Sequence, residues 1–329
     1  MITVDTTPLA GTTFIDLFAG IGGFRTVLES LGSTCVFSSE IDKHAAQTYH
    51  TNYGEYPHGD ITKISAEDIP DHDILCAGFP CQAFSISGKQ LGFADTRGTL
   101  FFDITRIVEA KQPRVVFMEN VKNFATHDGG KTMKVVETTM EQLGYNLYAK
   151  VLNASDYGVP QKRQRIYMVA IRKDVDAGVF EFPTPFPLET FIEDILLDSV
   201  DEPKLTNTRW PLQLTREDIN ENVVVPVRLG IVNKGGQGDR IYSIKGVGVT
   251  LSAHGGGTFA KTGGYLMPDG TARKLHPREC ARLMGFADSF MYHESFSQAY
   301  KQFGNGVVVD VLQYIALEFA HVFEEAGSG

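Results

Sequence analysis

From residue 13 to about residue 171 the chain alternates short apolar runs with amphipathic stretches. The runs at 13–17, 34–38, 73–77, 114–118, 145–152 and 165–171 are bounded by turn-forming residues, as buried strands are. The stretches between them carry helical periodicity, beginning with 24–31 directly after the first run. Strands that alternate with helices predict an α/β unit built on a doubly wound, mostly parallel sheet. After Phe182 the alternation fails: Pro183, Pro185 and Pro187 break the chain and an acidic stretch follows, so a boundary is expected near residue 190. Between residues 230 and 264, 11 of 35 positions are glycine, a composition that excludes helix and packs poorly alone. It suits loops laid closely against a flat, rigid partner. Helical patterns resume at 276–284 and 308–324, and the last is expected to return to the first unit.

The length of 329 residues and a hydrophobic content of 43% allow a large core and one or two domains. No run approaches the roughly 18 consecutive apolar residues of a membrane span, and the first residues lack the basic start of a secretory signal. Cys35, Cys76, Cys81 and Cys280 show neither paired CxxC spacing nor a disulfide framework. A reduced, soluble, cytoplasmic protein without a metal is expected. The net charge of −10 argues against a general nucleic-acid coat, but its distribution is uneven. Residues 227–285 hold nine Lys/Arg against three acids, a local +6 that leaves −16 on the rest. Residues 158–173 add five bases and no acid, whereas 181–202 carry seven acids and no base. Unless the clustering is chance, an acidic body meets a polyanion on one face.

The chemistry-bearing residues gather at expected strand ends. Phe18-Ala19-Gly20-Ile21-Gly22-Gly23 is a glycine turn between a strand and a helix, the context a nucleotide-type ligand requires. It departs from the dinucleotide pattern GxGxxG. Glu40 ends the second strand, where a carboxylate takes ribose hydroxyls, and Asp60 follows a glycine turn, where it can receive an adenine amino group. Ribose and adenine without phosphate suggest S-adenosylmethionine; each acid alone reads more readily as a solvated loop residue, but together, at successive strand ends, they favour the site. Cys81 lies just past the third strand, an incidental loop thiol or a nucleophile; Glu119-Asn120 lies past the fourth, on the same edge. A thiolate beside a carboxyl that can hold a proton has chemical sense. Arg163 and Arg165, two apart, point the same way if extended, towards an anion or a polarised carbonyl.

Phe79-Pro80-Cys81-Gln82, Glu119-Asn120-Val121, Gln161-x-Arg163-x-Arg165 and the glycine turn, together with residues 273–280 and Gly304-Asn305, resemble the cytosine-C5 DNA methyltransferases. The motifs stand in family order along nearly the whole chain, and residues 234–243 look most like the HhaI-type restriction–modification branch. The resemblance implies a Rossmann-like, S-adenosylmethionine-dependent catalytic domain over 1–193 and a smaller, glycine-rich, mainly β target-recognition domain over 194–275. A hinge over 276–304 and a C-terminal helix over 305–329 would follow. It implies Cys81 as the nucleophile on cytosine C6, Glu119 on N3 and the exocyclic amine, and Arg165 on the O2 side, with Arg163 and Asn120 in support. Phe18, Gly20, Gly22, Gly23, Glu40, Ile41, Asp60, Ile61, Pro80 and Asn305 would form the cofactor site.

Cytosine inside a duplex is inaccessible, so the base must be flipped out at a cost of a few kcal/mol. The long connection at 78–99 has the length of a functional lid. By the same resemblance Ser87 and Gln237 fill the vacated space, Arg240 reads guanine, and Thr250, His254 and Gly257 belong to the DNA surface. Ile41 stands where the close relative carries tryptophan, which predicts weaker adenine stacking, and His254 replaces a tyrosine. Residues 235–238 favour a GCGC target. The resemblance further implies a monomer acting on double-stranded DNA and away from membranes, with a restriction endonuclease that cuts the same site without obligatory complex. A tRNA cytosine methyltransferase shares the catalytic motifs, and a dinucleotide-dependent oxidoreductase with a redox-active Cys81 is a rival of another class. An inactive DNA-binding module is disfavoured by intact Cys81, Glu119 and Arg165.

Overall fold

A computed structural model describes residues 7–80 and 100–324. Cys81, Ser87 and the rest of the expected lid from residue 81 to residue 99 lie outside the described residues. The main sheet has six strands: β1 (Thr13–Leu17), β2 (Thr34–Ser39), β3 (Ile74–Gly78), β4 (Val115–Val121), β5 (Tyr145–Asn153) and β7 (Gln164–Arg172), in the order β2-β1-β3-β4-β7-β5. The first four run parallel; β7 is antiparallel to both β4 and β5. Between β5 and β7 lies the two-residue β6 (Gln161–Lys162).

The central strands β1, β3, β4 and β7 are buried on both faces, so their alternate residues enter different cores. Phe14, Cys76, Phe117 and Val169 pack with Phe24, Val27 and Leu28 of α1 (Gly23–Ser30). Ile15, Leu75, Val116 and Met168 face the opposite way, joining residues of α3 (Leu100–Lys111) and α4 (Lys131–Gln142). Helix α2 (Lys43–Tyr53) follows β2, its N-terminus capped by the Asp42 carboxylate. Helix α8 (Val309–Phe319) packs in the first core beside α1, its Phe319 ring edge-on to Phe117 at 5.4 Å, as the Phe24 ring is at 5.1 Å.

Strand β4 extends to Val121, three residues beyond the expected end, so Glu119 and Asn120 sit within the ladder, opposite Tyr167 and Ile166. Pairing on β7 carries the strand further than its apolar run suggests. Helix α5 (Ile192–Ile195) precedes a second sheet of β8 (Gln213–Leu214), β9 (Arg228–Ile231), β10 (Arg240–Ser243), β12 (Gly264–Leu266) and β13 (Ala272–Lys274), in the order β13-β12-β10-β9-β8. Val232, Ile241, Phe259 and Ala272 form a small core of its own. The dense glycines serve this packing as well as any partner. A Cβ on Gly230 would lie 2.3 Å from the Gln213 carbonyl oxygen, and one on Gly264 2.3 Å from the Phe259 ring.

Strand β11 (Gly248–Val249) pairs with β6, joining the second unit to the first by main-chain bonds. Helix α6 (Pro277–Arg282) occupies the expected 276–284 pattern, and Arg273 grips the fully buried Glu279 with two bonds of 2.7 Å. Helix α7 (Phe296–Asn305) has no counterpart in the expectations.

Candidate active site

The glycine turn is held open from below. Gly20 and Gly22 adopt positive φ (56° and 86°), as does Phe18 (56°). A Cβ on Gly22 would lie 2.3 Å from the Tyr53 ring, and one on Gly23 2.4 Å from Val307. Glu40 closes the turn: one carboxylate oxygen accepts the Gly20 N–H (2.8 Å), the other the Asp42 N–H (2.7 Å). Burial pushes Glu40 above the ordinary carboxylate range against these bonds. Asp16, fully buried on β1, is pushed up to about 8, chiefly by burial, with Arg25 opposing and Glu40 adding to the rise. Beside Glu40 the Ile41 side chain is 71% exposed. Asp60 caps the short helix at Ile61–Lys63 by accepting from the Thr62 N–H, while the Ile61 side chain is buried in the core, leaving only its main chain for a ligand. Pro80 and Asn305 are exposed.

On the next strands Glu119 is buried, with Arg165 Nε 3.1 Å from its Oε1. Burial raises Glu119 above the usual carboxylate range, with Arg165 and then Arg163 opposing. Asn120 donates to the Phe79 carbonyl (2.9 Å), fastening the chain just before Pro80 and Cys81 to β4. Arg163 departs from the expected parallel pair. The break between β6 and β7 turns its guanidinium into the junction of the two sheets, where it donates to the carbonyls of Leu251, Gly304 and Gly306. Its role is therefore to join segments rather than to face a substrate.

The model of the C-5 cytosine-specific DNA methylase matches residues 12–321. The chain belongs to this family. It is 61% identical over 316 residues to the type II methyltransferase M.HhaI of Haemophilus parahaemolyticus, covering 96% of each chain. It is 46% identical over 310 residues to M.NlaX of Neisseria lactamica, covering 92% of this chain and 94% of the relative. Among solved structures, the S. pombe Dnmt2 methyltransferase shares the fold with a TM-score of 0.69 at 22% identity, over 92% of this chain and 96% of that one.

On the second sheet of this DNA methylase, a hollow of about 540 Å³ is lined by Gln237, Arg240, Thr250 and His254, all expected from the sequence. Lys162 and Lys261 line it too and were not anticipated; Lys162 belongs to the basic 158–173 stretch, the signal that pointed to it. The Arg240 Nε is buried and has no hydrogen-bond partner among the described residues. The Thr250 hydroxyl donates to the Lys162 carbonyl, extending the contact between β11 and β6. Gly257 packs instead against the main chain of Gly238. Gln161 opens the Gln-x-Arg-x-Arg motif, and the sequence alone gives it no role. Its amide donates to the Leu283 carbonyl (2.8 Å) and accepts the Leu251 N–H (3.0 Å), so it joins the sheets beside Arg163.

Proposed function

We propose that this chain, a DNA cytosine-5-methyltransferase by family, methylates a flipped-out cytosine in a GCGC duplex site, using S-adenosylmethionine held at the glycine turn and Glu40. The observation that carries the reading is the buried Glu119 carboxyl, raised in pKa and 3.1 Å from Arg165, on the strand beside the one that leads to Cys81. The turn suits this cofactor: it departs from the dinucleotide pyrophosphate pattern, Glu40 stands beside it where a carboxylate takes ribose hydroxyls, and the exposed Ile41 offers an apolar surface to an adenine. When bound, S-adenosylmethionine supplies an electrophilic methyl group.

The chain's own residues then act on the base. The Cys81 thiolate adds to C6, forming the S–C6 bond and moving the C5–C6 electron pair to C5. Glu119 donates its proton to N3 as charge builds, and Arg165 holds the carboxyl in place and faces the O2 side. Asn120 keeps the start of the Cys81 segment against β4. C5 takes the methyl group, a base then removes the C5 proton, and that electron pair re-forms the C5–C6 double bond, breaking the S–C6 bond to return the thiolate while N3 gives its proton back to Glu119. Residues 194–275 would form the recognition unit, with the hollow around Arg240 and Gln237 as its DNA surface. We read the protein as a monomeric, cytoplasmic enzyme whose product is protected from a restriction endonuclease of the same specificity.

The test is transfer of labelled methyl groups to a random-sequence duplex library, with mapping of the modified sites, together with a duplex carrying 5-fluorocytosine at the target. Methylation at GCGC and a denaturation-resistant adduct that Cys81→Ser abolishes are expected. Transfer to tRNA in preference to duplex DNA, or an adduct surviving in Cys81→Ser, overturns the reading.

A further inference from the structure

The segments that carry the expected base-reading residues, 235–240 and 250–258, are fastened by a side chain outside that set. Asp239 is 5% exposed, and its Oδ1 accepts the Thr258 N–H at 2.9 Å. Its main chain is tied on both sides, its N–H to the Gly236 carbonyl (2.9 Å) and its carbonyl to the Val232 N–H (2.8 Å). Next to it the two segments meet backbone to backbone. The Phe259 N–H donates to the Gly238 carbonyl (2.6 Å), and a Cβ on Gly238 would lie 2.1 Å from the Gly256 carbonyl oxygen. A Cβ on Gly257 would lie 2.7 Å from the Gly238 carbonyl carbon.

The second segment contains Gly255-Gly256-Gly257, with φ of +132° at Gly255 and +112° at Gly257, and this run of three has no side chains with which to hold a conformation. Such a run loses more entropy on ordering than any other composition and needs an outside anchor. A carboxylate accepting a main-chain N–H is a charge-assisted, stronger-than-average bond, and here it is withdrawn from solvent.

We propose that Asp239 is a positioning residue for sequence readout. It latches the 250–258 segment onto the segment bearing Gln237 and Arg240, so that the groups on both sides of the hollow keep one fixed spacing. A bidentate contact to a base edge tolerates misplacement of only about 0.5 Å. Asp239 itself does not read a base, because Thr258 and burial direct it inward. The inference rests on the proposal that these segments read duplex DNA.

The experiment compares wild type, Asp239→Ala and Asp239→Asn. It measures binding to a GCGC duplex and its single-base variants, S-adenosylmethionine affinity, and amide hydrogen exchange at Thr258. In Asp239→Ala, discrimination is expected to fall about ten-fold and Thr258 to exchange faster, with cofactor affinity unchanged. Asp239→Asn keeps an acceptor oxygen and should restore both the discrimination and the protection. Loss of discrimination in Asp239→Asn equal to that in Asp239→Ala overturns the latch in favour of a role for the charge itself, as does full discrimination in Asp239→Ala. If Asp239→Ala no longer binds cofactor it has not folded, and Asp239→Asn alone decides. A wild type indifferent to every duplex sinks the target reading, while Thr258 exchange still judges the latch.

Discussion

Glu119 and Arg165 face each other diagonally across the β4–β7 ladder. Glu119 is in register with Tyr167 and Arg165 with Val121, which brings Arg165 Nε to 3.1 Å from Glu119 Oε1. Residues two apart on a strand share a face, so the pairing follows from the antiparallel register. It sets a guanidinium beside a carboxyl that burial nonetheless drives towards its protonated form.

That direction has a consequence for pH. The folded protein binds a proton at Glu119 over a range in which the unfolded chain, with a carboxyl pKa of about 4.3, has lost it. The group's contribution to stability is therefore present below about pH 4.3 and is lost as pH rises through the folded value. Glu119→Gln, neutral at every pH, should melt at or above wild type near pH 7, with the advantage vanishing at about pH 4. Methyl transfer should fall by about 10²–10⁴. Thermal melts across this range and single-turnover rates check both parts; a variant clearly less stable than wild type at pH 7 contradicts the first.

The two arginines should separate. Arg163→Lys loses the planar fork that spans three carbonyls, which a single ammonium cannot serve together, at about 1–3 kcal/mol for each group left unsatisfied. A lower urea midpoint is expected. Arg165→Lys keeps a charge opposite Glu119, so its midpoint should move less while turnover drops. Denaturation curves beside steady-state rates decide, and the reverse order would refute the division of roles.

Gly22 and Gly20 both have positive φ, but only Gly22 is crowded. The Tyr53 hydroxyl bonds the Gly22 carbonyl at 2.7 Å, which fixes the ring that a Cβ would strike. Gly22→Ala should cost about 2–4 kcal/mol and weaken cofactor binding, whereas Gly20→Ala should cost about 1 kcal/mol for its backbone alone. Melting temperatures with and without S-adenosylmethionine measure both; equal losses would mean that Tyr53 yields freely.

Ile41→Trp should tighten the cofactor. A solvent-exposed isoleucine next to Glu40 gives an adenine little to stack on, and an aromatic ring adds about 0.5–1.5 kcal/mol, or about two- to ten-fold in affinity. Calorimetric titration reads this directly, and unchanged affinity would place the adenine elsewhere.

Much of this molecule was legible from local pattern. Apolar runs of strand length with glycine turns at their ends located the parallel sheet, because a strand buried on both faces has few other ways to be written. The turn at 18–23, Glu40 and Glu119 could be recognised because strand ends on one edge are where such a sheet gathers its ligands. What a single segment cannot encode is its partner. Glu119 became part of a strand only when β7 paired with it, and α7 was missed because its buried face is completed by other segments. Arg163 and Arg165 look equivalent in the chain, two residues apart in one basic stretch. A break between β6 and β7 turns one into the junction with Leu251, Gly304 and Gly306, 88 to 143 residues away, and leaves the other on Glu119. Likewise the glycines at 230–264 announced close approach without saying to what. Only the assembled second sheet decides that Gly230 and Gly264 yield space to the protein's own Gln213 and Phe259, since a missing side chain carries no record of the atom that takes its place.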